Sequence, residues 1–67
     1  MNVPNPYSML TLHWASTQDA EFPYRLVVDN AQWVIRLNDF PDSALYTLLI
    51  DDREVMDFDD WPYTWKR

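Results

Sequence analysis

Six carboxylates crowd the stretch 51–60 of this 67-residue chain: Asp51, Asp52, Glu54, Asp57, Asp59 and Asp60, with Arg53 the one cation among them. Three aromatics, Trp61, Tyr63 and Trp65, follow at once. Carboxylates at this density can serve three chemistries: general acid–base catalysis, cation ligation, and capture of arginine or lysine from a partner. The first needs a cleft that drives two carboxyl pKa values apart, which a chain this short can hardly build. For the second, Asp57 and Asp59 resemble the alternating oxygen ligands of a calcium loop. The glycine and the distal glutamate of such a loop are missing, however. The third needs only an exposed anionic surface with an apolar anchor beside it, and here Tyr63 and Trp65 supply the anchor.

Other reactive types are sparse. The chain has no cysteine and a single histidine, His13, so neither a disulfide nor a zinc site is expected. Ser8, Ser16 and Ser43 lack the glycine-bearing elbow of a nucleophile, and glycine is absent throughout. The expectation is a non-enzymatic protein with no catalytic residues, no metal and no cofactor.

The formal charge is −6. Its distribution is uneven: seven aspartates and Glu54 lie between residues 38 and 60 against Arg53 alone, whereas Lys66 and Arg67 close the chain in the opposite sense. Such a field repels nucleic acid and anionic lipid and attracts basic proteins. No segment approaches the ~20 apolar residues of a membrane span. Met1-Asn2-Val3-Pro4-Asn5-Pro6 does not resemble a signal peptide, and a cytoplasmic location is the expectation.

The elements that must position these residues read as strands. A length of 67 residues predicts one domain, with residues 1–6 loose and residues 61–67 an aromatic tail. From Tyr7 to Trp14, apolar Leu10, Leu12 and Trp14 alternate with Met9, Thr11 and His13, the period of a half-buried strand. Ser16 followed by Asp19 suggests one helical turn in the connection 16–23. Tyr24 to Asp29 and Gln32 to Leu37 form a hairpin. With Asn30-Ala31 as its turn, Val28 faces Trp33, Leu26 faces Ile35 and Tyr24 faces Leu37. Arg25, Val27, Val34 and Arg36 then share the other face.

A second hairpin joins Leu45–Ile50 to Arg53–Phe58 around Asp51-Asp52, in a register the pattern leaves open. It is preferred over a helix beginning at Pro41, because Tyr46, Thr47 and Ile50 favour sheets. Three aromatics in the tail are costly to leave in water, and Trp61 is the expected anchor.

The fold class is therefore mainly β: a single small antiparallel sheet of four or five strands, a meander or partly closed barrel, with at most one short helical turn. Its expected core is Leu10, Leu12, Trp14, Leu26, Val28, Trp33, Ile35 and parts of the second hairpin. A core this thin keeps self-association open. The expected function is binding, through Asp51, Asp52, Glu54, Asp57, Asp59, Asp60, Tyr63 and Trp65, to a protein partner with a basic surface. The leading form is an acidic inhibitor or immunity-type protein, in the extreme a mimic of DNA charge. The alternatives are a small adaptor reading Arg- or Pro-containing segments, and an accessory subunit of a larger assembly.

Overall fold

Both tight hairpins turn on pairs of residues that tolerate positive φ. Asp29 and Asn30 adopt φ of 49° and 67°, and Asp51 and Asp52 adopt 49° and 68°. Two consecutive positive values define the turn whose twist matches that of the flanking strands. Asp and Asn enter this region more readily than other residues bearing a Cβ, because their short polar side chains bond locally. In a chain without glycine they are the available choice.

A computed structural model describes residues 6–67. It contains a 3-10 turn, η1 (Pro6–Met9), and seven strands: β1 (Leu12–His13), β2 (Ala15–Ser16), β3 (Tyr24–Val28), β4 (Ala31–Leu37), β5 (Tyr46–Ile50), β6 (Arg53–Phe58) and β7 (Trp65–Lys66). Strands β2 to β6 form one antiparallel meander in chain order, open at both edges. The sheet is not closed into a barrel. The loose terminus expected over 1–6 lies, up to residue 5, outside the described residues.

The first hairpin keeps the expected faces and loses the expected register. Val28 pairs with Ala31, Leu26 with Trp33 and Tyr24 with Ile35. The turn is Asp29-Asn30, one residue earlier than Asn30-Ala31, because Ala31 has no side-chain bond to offset a left-handed backbone. Moving the turn by one residue displaces the partner strand by two, which preserves the side-chain parity. Alternation therefore could not discriminate the two registers.

In the second hairpin Ile50 pairs with Arg53 and Leu49 with Glu54, but Leu48 pairs with Met56. Val55 is the extra residue of a β-bulge, which restores Met56 and Phe58 to the inner face. The segment 41–50 holds no helix. It is loop up to Leu45 and strand from Tyr46.

The connection 16–23 contains no helical turn either. The Asp19 carboxylate accepts the Glu21 and Phe22 N–H groups at 2.9 and 3.4 Å, and the Thr17 hydroxyl donates to the Phe22 carbonyl at 2.5 Å. These local bonds compete with helix formation and hold the loop irregular. The first predicted strand is shorter than expected as well. η1 occupies its beginning, and Leu10, expected in the core, is 42% exposed.

The inner face is covered by the two ends of the described chain. β1 and β7 pair in parallel, Leu12 with Trp65 and His13 with Lys66. The core is Leu12, Trp14, Trp33, Ile35, Leu48 and Trp65. Trp61 docks on the sheet as expected, and Trp65 is buried deeper still: its indole N–H reaches the Tyr7 carbonyl at 3.0 Å. Trp61 packs half-buried among Trp14, Tyr24, Tyr46, Phe58 and Trp65, donating its own indole N–H to the Trp65 carbonyl at 2.6 Å.

Candidate functional site

Strand β6 is an edge of the meander, and the turn before it and the bend after it carry the rest of the acidic cluster. All six carboxylate residues are exposed. They nevertheless divide into two groups by what their oxygens do.

Four have internal partners. Asp51 accepts the Gln32 N–H at 2.9 Å and returns its own N–H to the Gln32 carbonyl, tying the second turn to β4. Glu54 forms the one ion pair among the described residues, with Arg36 at 3.3 Å. Asp57 accepts the Thr47 hydroxyl at 2.7 Å. Asp59 accepts the Leu45 N–H at 2.8 Å, just before β5 begins. Asp52 and Asp60 have no hydrogen bond or ion pair to any described residue.

Alternation explains this division. Thr47, Leu49, Glu54 and Asp57 share the outer face of the sheet, opposite the core, and the pairings Thr47–Asp57 and Leu49–Glu54 bring them side by side. Arg36 lies across β5 from Asp57, opposite Thr47. A polar network results: Asn38 donates to the Thr47 hydroxyl oxygen at 2.7 Å and to the Ala44 carbonyl at 3.0 Å, and Arg36 donates to Asn38 at 2.9 Å. Its centre, Thr47, is 1% exposed. Sequence reading placed Arg36 on this face and missed Asn38 and Thr47. The signal lay in the alignment of Arg36, Thr47 and Asp57 on adjacent strands, legible only once the register is known.

The two aromatic candidates separate. Tyr63 is 89% exposed, at the tip of the turn that returns the chain to β7. Trp65 is 2% exposed and belongs to the core, so it presents no surface to a partner of this folded chain. The half-buried Trp61 already carries a cation: the Arg67 guanidinium lies 4.6 Å from its ring centroid.

No three His, Asp or Glu groups converge as metal ligands among the described residues, and none of the described helical segments is long and apolar enough to cross a membrane. The outer face also holds a shallow groove of about 330 Å³, lined by Phe22, Arg25, Gln32, Val34, Leu49 and Asp52 among others. No family model, curated protein or solved structure matches the chain.

Proposed function

We propose that this chain is a small non-enzymatic protein-binding domain that captures a basic partner along the β6 edge, as an acidic inhibitor or immunity-type protein does. One observation carries the reading: six exposed carboxylates lie on one edge strand and its two ends, and two of them, Asp52 and Asp60, have no side-chain hydrogen bond or ion pair among the described residues. Carboxylates concentrated in this way steer a cationic surface during encounter and suppress acidic competitors. Exposed Tyr63 supplies an aromatic contact in the same stretch of chain. Direct binding to nucleic acid runs against the sign of the field.

The test begins with capture at low ionic strength and identification of what is retained. Association rates are then measured against salt for the wild type, for Asp52→Asn with Asp60→Asn, and for a control carrying Asp19→Asn with Glu21→Gln. The expected result is a basic partner whose association slows in the first variant and shows a flatter salt dependence, with little change in the control. Equal losses in both variants, or a rate indifferent to salt, would overturn the reading.

A further inference from the structure

The outer face of the sheet is covered only in part, by the loop that carries Phe22 and by the network over Thr47, and one row across it is self-complementary. Register aligns Arg25 on β3 with Val34 on β4, Val34 with Leu49 on β5, and Leu49 with Glu54 on β6. The row thus reads cation, apolar, apolar, carboxylate over four adjacent strands, a backbone span of roughly 14 Å at the usual strand spacing. Arg25 is exposed and its guanidinium forms no ion pair or hydrogen bond among the described residues, although the molecule carries an excess of acid. Val34 and Leu49 are half-buried, and exposed Val27 extends the apolar patch beside them.

We propose that this face pairs with the same face of a second copy of the chain, sheet against sheet. A two-fold axis parallel to the strands, midway between β4 and β5, reverses the row. It sets Arg25 of each copy opposite Glu54 of the other, and Val34 opposite Leu49. Facing sheets pack about 10 Å apart with interdigitating side chains, a distance that arginine and glutamate together bridge. A contact of this kind is isologous, so one surface satisfies both sides. The charges select this occupant. A basic surface would meet Arg25 as a like charge. An apolar surface without a carboxylate would leave the guanidinium buried and unpaired. A second copy supplies a carboxylate at the required place, Glu54, which its own Arg36 holds at 3.3 Å and which would then bridge two guanidinium groups. It also covers apolar surface in a domain with little core.

Sedimentation of the full chain up to ~1 mM protein, at a salt concentration that screens the net charge, measures the assembly. The expected result is a reversible dimer. Arg25→Glu should weaken it by about tenfold or more, and Glu54→Lys by a similar factor; combining both should recover most of the affinity by exchanging the two ends of the row. Val34→Lys should abolish it while leaving the melting curve nearly unchanged, since that side chain lies outside the core. The absence of cysteine permits a geometric check. An equal mixture of Arg25→Cys and Glu54→Cys chains keeps one ion pair only in the mixed dimer. Treated with a short bis-maleimide, it should give the mixed cross-link in preference to either like pair, whose positions lie three strand spacings apart across the contact. A chain monomeric at every concentration overturns the proposal. So does a dimer indifferent to Arg25→Glu and Val34→Lys, or one without the mixed cross-link, because either result places the contact on another face.

Discussion

The Thr47 hydroxyl donates to Asp57 Oδ1 at 2.7 Å from a position almost closed to water, while its oxygen accepts Asn38 Nδ2 at the same distance. One buried hydroxyl thereby joins β5, β6 and the loop after β4. Thr47→Val preserves shape and removes both bonds together with a longer one from the Arg36 guanidinium at 3.4 Å, and should cost about 1–3 kcal/mol. In a domain of this size that is a fall in melting temperature of several degrees. Thr47→Ser retains the hydroxyl and should cost less. A Thr47→Val variant that melts with the wild type would show that the network contributes nothing to stability.

The indoles of the core differ in a testable way. Trp65 and Trp61 donate to carbonyls, whereas Trp14 Nε1 is buried without a partner among the described residues. Trp65→Phe should therefore destabilise more than Trp14→Phe, by about 1 kcal/mol, the net worth of one hydrogen bond. Full truncation is more severe: Trp33→Ala or Trp65→Ala should cost ~3–5 kcal/mol. Denaturant melts of the four variants decide both points.

Members of the acidic cluster should separate on mutation. Asp59→Ala removes the acceptor for the Leu45 N–H and should cost about 0.5–1.5 kcal/mol, whereas Asp59→Asn retains an oxygen there and should cost little. Asp52→Asn and Asp60→Asn, with no bond to lose, should be neutral or slightly stabilising as repulsion falls. The Arg36–Glu54 pair is partly exposed, 27% and 59% by side chain, so breaking it with Glu54→Gln should cost no more than ~1 kcal/mol. Urea midpoints for this set rank the residues directly, and a large loss at Asp52 or Asp60 would contradict the division drawn above.

Asp52→Gly sets stability against binding. Asp52 has φ of 68°, where a Cβ is unfavourable, and aspartate followed by glycine is a preferred pair for this turn. The substitution should raise stability by up to ~1 kcal/mol, less whatever glycine gains in the unfolded chain. It also removes a carboxylate assigned above to partner capture, so association should slow as the melting temperature rises. A gain in both, or a loss in both, would separate the turn from the proposed surface.

Side-chain parity made much of this architecture legible in advance. The alternation from Tyr24 to Leu37 placed Arg25, Val27, Val34 and Arg36 on one face and Leu26, Trp33 and Ile35 on the other, as observed. It could not fix the register, because a shift of two residues leaves parity intact and only the φ requirement at Asp29 and Asn30 decides. The tail was opaque for a different reason. Trp61, Tyr63 and Trp65 are all large aromatics, and burial of the third with exposure of the second depends on pairing with Leu12 at the far end of the chain. No local pattern encodes a contact so distant in sequence. The acidic cluster stood out plainly, but the internal duties of Asp51, Glu54, Asp57 and Asp59 became visible only with their partners Gln32, Arg36, Thr47 and Leu45.

The pairing of β1 with β7 also bears on synthesis. Trp65 Nε1 and the Tyr7 carbonyl are 58 positions apart, and the Leu12–Trp65 ladder spans nearly as much. A nascent chain can form both tight hairpins from local contacts soon after they emerge, but the aromatic face of the meander stays uncovered until residue 65 arrives to close it. Contacts of such long range are made late, after the entropy of closing the intervening loop has been overcome. A released chain cut short before Trp65 should therefore expose Trp33, Ile35 and Leu48 to chaperones and proteases, where the chain that carries Trp65 protects them.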